Sequence, residues 1–259
     1  MSAPGTYRPD ESASPRVALV TGAARGLGAC IAARLHGRGY RVALTDLDGD
    51  AAVAAAASLD PSGQSALGLR LDVRDKDAFV QARDALVERW DAIHVLVNNA
   101  GYSKVEQLME IGPESFASVV SANLNGTFFG CQVLGSYFAG RGYGRIVNIG
   151  SLAGQNGGTA TGAHYAAAKG GVATLTKVFA RELGPRGVTV NAVSPGPQDL
   201  PVVRESVAPD RLAQIEASIP VGRLGRPEFI ADMAVLLASE HADAVTGACW
   251  DANGGLYMR

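Results

Sequence analysis

A short apolar strand that runs into a glycine-rich turn and then into a helix is the feature that most restricts the fold of this chain. Residues 16–21 are rich in β-branched side chains and predict a buried strand. Residues 22–28 follow as the glycine-rich turn, and residues 29–38 have helical composition. Glycines let the backbone approach phosphate groups, and a helix N-terminus offers free N–H groups to an anion. The order strand, turn and helix therefore predicts a dinucleotide site.

A second predicted strand, residues 41–45, ends at Asp46. Asp46 stands close to the ~20-residue offset from the glycine turn at which a carboxylate hydrogen-bonds the adenosine ribose 2′-hydroxyl. The same carboxylate would repel a 2′-phosphate, so NAD is favoured over NADP as the cofactor. Arg25 in the glycine turn is the counter-evidence, since it would pair with a 2′-phosphate if Asp46 turned away. Asp48 is free to cap the following helix in place of Asp46.

Strands and helices then alternate along the chain. Further strands are predicted at 66–71, 93–97, 144–149 and 187–193, with helices at 75–90, 114–138 and 164–183 between them. This alternation predicts an α/β fold with a parallel sheet and helices on both faces. In such a sheet the ligand lies beyond the carboxyl ends of the strands. The residues that fall at those ends are Gly22, Asp46, Asp72, Asn98, Ser151, Pro195 and Gly196.

Tyr165 and Lys169 lie four residues apart in the predicted helix 164–183, so their side chains point into the same space. A cation about 4 Å from a phenol is worth up to ~4 kcal/mol to the phenolate at an effective dielectric of about 20. Lys169 would then lower the pKa of Tyr165 by at most ~3, toward the range of a general acid/base at neutral pH.

Composition excludes several other classes of function. The net charge of −2 gives no electrostatic reason to expect a nucleic acid or an anionic membrane as partner, and no apolar run approaches the ~20 residues of a transmembrane helix. Cys30, Cys131 and Cys249 are far apart, which indicates free thiols in a reducing, cytoplasmic setting. No histidine or cysteine spacing suggests a metal site. Residues 1–14 are predicted to be a disordered leader ahead of one domain, residues 15–259.

From residue 16 to residue 256 the chain resembles the short-chain dehydrogenases/reductases of the classical type. The motifs that carry the resemblance are Thr21-Gly22-Ala23-Ala24-Arg25-Gly26-Leu27-Gly28, Asp72-Val73, Asn98-Asn99-Ala100-Gly101, Asn123, Ser151, Tyr165-Ala166-Ala167-Ala168-Lys169 and Pro195-Gly196. The resemblance implies a single-domain, doubly wound Rossmann fold whose mostly seven-stranded parallel sheet is flanked by helices on both faces. It also implies a substrate lid at about 197–220 and a homotetramer, with a homodimer as the alternative.

The resemblance also implies residue roles. Tyr165 would be the general acid/base, Ser151 would hold the reacting oxygen, and Lys169 would also bind the nicotinamide ribose. Asn123 would hold a water that links Lys169 to solvent. The implied cofactor contacts are Gly22, Arg25, Gly26, Leu27, Gly28, Asp46, Leu47, Asp72, Val73, Asn99, Ala100, Gly101, Tyr165, Lys169, Pro195, Gly196 and Gln198. The expected substrate contacts are Leu152, Gln155 and His164. For His164 a packing role is the favoured alternative, because adjacent residues on a helix point about 100° apart.

One position departs from the family pattern. The family usually carries a threonine, four positions beyond the glycine of Pro195-Gly196, that binds the nicotinamide carboxamide. Leu200 stands there in this chain. The carboxamide would then be held by backbone groups, by Gln198 or by Asp199.

The expected function is an oxidoreductase that transfers a hydride between NAD(H) and a secondary alcohol or ketone. A close alternative is an NADPH-dependent reductase of 3-oxoacyl thioesters on an acyl carrier protein, against which Asp46 and the lack of a clear basic surface argue. An alternative of a different class is a catalytically silent dinucleotide-binding sensor. A sensor would have no need of the proton-transfer pair Tyr165 and Lys169.

Overall fold

The described residues, 15–158 and 161–258 of a computed structural model, form an α/β fold around one parallel sheet. Its strands are β1 (Val17–Thr21), β2 (Arg41–Asp46), β3 (Ala66–Arg70), β4 (Val95–Asn98), β5 (Gly144–Ile149), β6 (Val188–Pro195) and β7 (Cys249–Ala252). They lie in the order β3-β2-β1-β4-β5-β6-β7, and all neighbouring pairs are parallel. The predicted seven-stranded Rossmann fold is confirmed. The expected leader, residues 1–14, lies outside the described residues.

Helices follow most of the strands. They are α1 (Gly26–His36), α2 (Gly49–Leu59), α3 (Lys76–Trp90), α4 (Pro113–Val120), α5 (Gly126–Arg141), α6 (Ala153–Asn156), α7 (Ala163–Leu183), α8 (Pro201–Ser206), α9 (Pro209–Ser218) and α10 (Pro227–Ala238). The predicted lid carries α8 and α9, and its movement stays a prediction. Among the described residues, no helix is long and apolar enough to cross a lipid bilayer.

Local sequence signals set several helix ends. Asp48 caps α2 by accepting the Ala51 N–H at 3.1 Å, and Asp75 caps α3 by accepting the Asp77 N–H at 2.9 Å. Proline begins α4, α8, α9 and α10, where its missing N–H costs no hydrogen bond. Gly142 ends α5 with a positive φ of 71°, a conformation that glycine adopts without strain.

Alternate strand residues pack on opposite faces of the sheet. In β1, Ala18 and Val20 belong to the core with α1, α2 and α10, whereas Val17 and Leu19 belong to the core with α3, α5 and α7. Because helices cover both faces, the central strands are continuous apolar runs. The two core layers leave the carboxyl ends of the strands available for a site.

A buried polar network joins the middle of the sheet to α7. Asn98, at the end of β4, donates from Nδ2 to Asn148 Oδ1 in β5 at 2.9 Å. Asn148 Nδ2 donates to Thr176 Oγ1 at 3.0 Å, and Thr176 donates to Val172 O at 2.9 Å. Asn98, Asn148 and Thr176 are at most 5% exposed. Because an unpaired polar group in such a place is costly, the network fixes α7 against the sheet.

Because of this network, loss of the Thr176 hydroxyl should destabilise the protein more than loss of the Thr174 hydroxyl on the same helix. Thr176→Val keeps nearly the same shape but leaves Asn148 Nδ2 without its acceptor, so we expect the free energy of unfolding to fall by about 1–3 kcal/mol in urea denaturation. Thr174→Val is the matched control, because the Thr174 hydroxyl donates to Gly170 O at 3.4 Å on the exposed face of the same helix. That control should change stability by less than about 0.5 kcal/mol. Equal losses in the two variants would contradict the network's role.

Candidate active site

The turn between β1 and α1 depends on three glycines. Gly22 and Gly26 adopt left-handed backbone conformations, with φ of 62° and 60°. A Cβ on Gly28 would lie 2.1 Å from Gly22 O and 2.5 Å from Asn99 Nδ2. Asn99 Nδ2 donates to Thr21 O and Gly22 O, both at 3.0 Å, and so holds the turn in place. The backbone is therefore packed too closely at Gly28 for a side chain.

The N-terminus of α1 suits an anionic ligand. Arg25 is the N-cap residue but makes no side-chain cap hydrogen bond, and the first turn of α1 contains no acidic residue. The N–H groups of that turn and the positive end of the helix dipole therefore remain available to a phosphate. The pyrophosphate of a dinucleotide fits this cradle.

A cleft of about 420 Å³ lies beside the glycine turn, next to the ends of β1, β2 and β4. The predicted cofactor residues that line it are Gly22, Arg25, Leu27, Gly28, Asp46, Leu47, Asp72, Val73, Asn99, Ala100 and Gly101. Sequence reasoning missed four further lining residues, Leu71, Arg74, Tyr102 and Ala122. Each of them directly adjoins a predicted site residue or motif, which was the available signal.

Asp46 ends β2 at this cleft, and two backbone N–H groups hold its carboxylate. Oδ2 accepts from Ala24 and Oδ1 accepts from Asp48, both at 3.2 Å. The expectation that Asp48 rather than Asp46 caps α2 is confirmed. Arg25 and Leu47 line the same cleft and are exposed. The carboxylate is therefore held at the cleft, where it is expected to meet the adenosine ribose of a bound dinucleotide.

Asp72 and Arg74 form a two-bonded ion pair at the cleft. Arg74 Nε lies 2.9 Å from Asp72 Oδ1, and Arg74 Nη2 lies 2.6 Å from Asp72 Oδ2. The hydrogen bonds from Arg74 hold the pKa of Asp72 below its ordinary value. Of the two arginines that line the cleft, Arg74 is thus engaged with a carboxylate, whereas Arg25 is the better candidate to pair with a 2′-phosphate.

Tyr165, Lys169 and Ser151 meet where β5 ends against α7. Lys169 is 5% exposed, and its Nζ donates to Ile149 O, the last residue of β5, at 2.7 Å. The same Nζ lies 5.7 Å from the centroid of the Tyr165 ring. Ser151 Oγ accepts from the Ala153 N–H at 3.1 Å, and the Ser151 hydroxyl lies near enough to the Tyr165 phenol to act on its pKa. A phenol, a hydroxyl and an ammonium are therefore brought together.

The expectation that Lys169 brings the pKa of Tyr165 below its ordinary value is wrong. Burial raises the pKa of Tyr165 above its ordinary value of 10, and the hydrogen bond from Ser151 only opposes that rise. Burial also lowers the pKa of Lys169 from 10.5 to about 8. Both shifts have one cause, because surroundings of low polarity disfavour the charged form of each group. Tyr165 therefore keeps its proton at neutral pH, which is the state of a proton donor.

Asn123 lies in a π-helical stretch, Ser121–Asn125, between α4 and α5, and it is fully buried. Its Nδ2 donates to Tyr102 O at 2.8 Å and to Val119 O at 2.9 Å. Its Oδ1 accepts no hydrogen bond from the part of the chain that the structure describes. A Cβ on Gly101 would lie 2.2 Å from that oxygen. π-Helical turns are frequent at functional sites, and the role of Asn123 in holding a water stays a prediction.

The structure places His164 inside the protein, which fits the favoured packing role and not a substrate contact. Its side chain is fully buried, Nδ1 accepts from the Tyr165 N–H at 2.9 Å, and Nε2 lies 3.0 Å from Glu106 Oε2. With both ring nitrogens bonded to the protein, His164 is not assigned as a substrate contact. Leu152, which is 9% exposed and directly follows Ser151, stays a predicted one.

Gln155, the third expected substrate contact, also uses its amide within the protein. Nε2 donates to Asp251 Oδ1 at 2.6 Å, and Oε1 accepts from Ser194 Oγ at 3.0 Å. These bonds tie α6 to β6 and β7. Gln155 therefore helps to position the segment that follows Ser151, and it is not assigned to substrate.

The segment after β6 carries the remaining expected cofactor residues, Pro195, Gly196 and Gln198. Gln198 Nε2 donates to Gly196 O at 3.1 Å, while its buried Oε1 accepts no hydrogen bond from the described residues. Asp199 is instead bonded to Arg204 at 2.5 Å. Gln198 is thus a better candidate than Asp199 to hold the nicotinamide carboxamide.

Known proteins resemble this chain over nearly its whole length. The sequence model of a family described as Enoyl-(Acyl carrier protein) reductase matches residues 22–257. An uncharacterized short-chain type dehydrogenase/reductase of Sinorhizobium fredii is 35% identical over 94% of this chain and 98% of the relative. The 3-oxoacyl-[acyl-carrier-protein] reductase FabG of Escherichia coli is 36% identical over 94% and 98%. The acetoacetyl-CoA reductase of Rhizobium meliloti is 39% identical over 94% and 99%.

Because the backbone is tightly packed at Gly28, one methyl group added there should weaken cofactor binding. Gly28→Ala should weaken NADH binding about 10-fold or more in calorimetry, because overpacking of this kind costs about 1–3 kcal/mol. Gly140→Ala is the matched control, since no atom lies within 4 Å of a Cβ added there in α5. The control should leave NADH affinity unchanged and raise stability by up to about 1 kcal/mol. An unaltered NADH affinity in Gly28→Ala would remove the turn from the binding site.

Proposed function

The chain belongs to the short-chain dehydrogenase/reductase family of NAD(P)-dependent oxidoreductases, and we propose that it interconverts a ketone and a secondary alcohol with NAD(H). Tyr165 is the proposed general acid/base. The observation that carries the proposal is the meeting of Ser151, Tyr165 and Lys169 at the end of β5, one strand away from the end of β4 at the dinucleotide cleft. A protein that only bound a dinucleotide would not need a partly buried phenol with a buried ammonium 5.7 Å from its ring centroid.

The protein's part in the reaction is to position the substrate and to supply a proton. A bound nicotinamide dinucleotide supplies the hydride. In ketone reduction, the Tyr165 phenol gives its proton to the carbonyl oxygen, and the Ser151 hydroxyl donates a hydrogen bond to the same oxygen. The raised pKa of Tyr165 keeps the phenol protonated before the transfer. The Lys169 ammonium lies 5.7 Å from the centroid of the Tyr165 ring, where it stands on the same side of α7 as the phenol.

The proposed preference for NAD rests on Asp46. Its carboxylate, fixed by the N–H groups of Ala24 and Asp48, meets the part of the cleft where a 2′-phosphate would bring nearly two further negative charges. Arg25 lines the same cleft and favours the alternative, NADP. Arg74 contributes less to that alternative, because it is bonded to Asp72.

A second candidate substrate is a 3-oxoacyl thioester, because two of the relatives carry names of enzymes that act on such compounds. The proton chemistry at Tyr165 would be the same for either substrate. Turnover of acetoacetyl-CoA and of unesterified ketones, each with NADH and with NADPH, separates the two. Activity confined to the thioester would replace the leading proposal by the second. Tight NADH binding without turnover of any carbonyl compound would favour the sensor.

Removal of the Tyr165 hydroxyl tests the proton-transfer role. Tyr165→Phe should lower kcat at least ~100-fold, the low end of general acid/base contributions, with little change in NADH affinity. Tyr102→Phe is the control within the same cleft, since the Tyr102 phenol is bonded to Ser118. It should retain turnover within a few-fold. Near-normal turnover in Tyr165→Phe would defeat the assignment.

Removal of the Asp46 carboxylate tests the cofactor preference. Calorimetry should show tighter binding of NADH than of NADPH, and Asp46→Ala should level or reverse that order. Asp48→Ala removes the neighbouring carboxylate, which caps α2, so it should cost about 1 kcal/mol of stability and leave the order unchanged. Equal affinities for the two cofactors in the unmodified protein would refute the role given to Asp46.

A further inference from the structure

The first turn of α7 contains a buried histidine that the proposed proton transfer does not use. His164 directly precedes Tyr165 and is fully buried. Its Nδ1 accepts from the Tyr165 backbone N–H at 2.9 Å, a donor that it shares with Gly162 O at 3.1 Å. A nitrogen that accepts a hydrogen bond carries no proton, so the ring proton is on Nε2. His164 is therefore a donor at Nε2.

The Nε2 proton points at a carboxylate on another part of the chain. Glu106 Oε2 lies 3.0 Å from His164 Nε2 and also accepts from the Ser115 hydroxyl. Lys104 Nζ donates to that hydroxyl at 3.3 Å. Hydrogen bonds from Ser115 and His164 hold the pKa of Glu106 below its ordinary value. The carboxylate therefore stays charged at neutral pH and is a strong acceptor for the ring.

Glu106 belongs to the segment between β4 and α4, residues 99–112, which contacts the proposed active site at two more points. Tyr102 O accepts from Asn123 Nδ2 at 2.8 Å, and Lys104 O accepts from the Gly162 N–H at 2.9 Å. The segment thus bonds both to Asn123 and to the N-terminus of α7. Glu106 also connects the segment to Tyr165, because it accepts a hydrogen bond from His164, whose other ring nitrogen accepts from the Tyr165 backbone N–H.

The histidine ring fills a space shaped for it. A Cβ on Gly162 would lie 2.2 Å from His164 Cε1 and 2.7 Å from Nδ1, so the ring lies directly over that glycine. On another side the Phe116 ring, at the start of α4, lies 6.4 Å away between ring centroids. Rotation of the ring would break its bonds to the Tyr165 N–H and to Glu106.

We propose that His164 is a positioning residue that ties the backbone of Tyr165 to Glu106, so that the segment 99–112 and the reacting phenol keep one fixed relation. The inference rests on the proposed function, because it assigns importance to where the Tyr165 phenol stands. A misplacement of about 1 Å in such a group can cost up to ~100-fold in rate. The pair would act on turnover and leave cofactor affinity alone, since neither residue lines the dinucleotide cleft.

The experiment separates the two hydrogen bonds of the His164 ring, one to the Tyr165 N–H and one to Glu106. In His164→Asn the side-chain oxygen can still accept from the Tyr165 N–H, but the side chain is too short to reach Glu106. Glu106→Ala removes the other partner, and Glu106→Gln restores an acceptor. We expect kcat to fall about 10-fold in His164→Asn and in Glu106→Ala, and to recover largely in Glu106→Gln. The double variant should lose no more than either single one, because both substitutions break the same link.

His94 provides a matched control at the other end of β4. Its Nδ1 also accepts a backbone N–H, from Val17 at 3.0 Å, and its ring lies 6.1 Å from that of Tyr143 between centroids. His94→Asn should lower stability as His164→Asn does, yet leave kcat within about 2-fold of the unmodified value. If His164 had only a structural role, His164→Asn would leave kcat as little changed as His94→Asn does.

Hydrogen exchange followed by mass spectrometry gives a readout that needs no turnover. In His164→Asn the peptide covering 102–112 should exchange faster, while His94→Asn should leave it unchanged. Normal kcat in His164→Asn, additive losses in the double variant or unaltered exchange of 102–112 would overturn the proposal. If the unmodified protein turned over no carbonyl compound, the proposed function would fall, and the exchange comparison would still decide whether the link exists. Should His164→Asn fail to fold, Glu106→Ala, at a partly exposed side chain, carries the same test.

Discussion

A buried ammonium bonded to the last carbonyl of a central strand is the interaction on which the proposed site depends. Lys169 Nζ donates to Ile149 O, and this bond sets α7 against the end of β5. It thereby places Tyr165, one helical turn earlier, beside Ser151, two residues beyond the strand. The same burial lowers the pKa of Lys169 to about 8 and raises the pKa of Tyr165. The burial of Lys169 against the end of β5 therefore accounts both for where Lys169 and Tyr165 stand and for their protonation states.

The parallel sheet explains why distant parts of the sequence meet at this place. All seven strands point the same way, so the residues that follow them gather along one edge. Close packing then limits what can stand there: Gly28 lies against Gly22 O and Asn99, and Gly101 lies against Asn123. The polar core of Asn98, Asn148 and Thr176 holds β4, β5 and α7 in register beneath them. The proposed dinucleotide cleft and the proposed proton-transfer group are thus parts of one rigid frame.

Local sequence patterns predicted much of the fold and of the candidate site. Contacts between residues far apart in the sequence could not be predicted in this way. The strand, glycine turn and helix, the cap at Asp48 and the helix that carries Tyr165 are all encoded within a few neighbouring residues. Strand β7 was not located in advance, because Cys249–Ala252 is short, only partly buried and contains Asp251. The pKa direction of Tyr165 depends on burial, which no spacing reveals. Likewise, His164 is bonded to Glu106 and Gln155 to Asp251, pairs that come together only in the folded chain.

The buried ammonium can be observed directly. The chain contains four lysines, Lys76, Lys104, Lys169 and Lys177, so NMR of protein labelled with ¹³C at the lysine ε position gives a spectrum that Lys169→Arg assigns by loss of one signal. Lys76, Lys104 and Lys177 are exposed and serve as internal references. If Lys169 is desolvated against Ile149 O, its signal titrates with a pKa of about 8. A Lys169 signal that titrates at the ordinary value of 10.5 would place the ammonium in water and contradict the account.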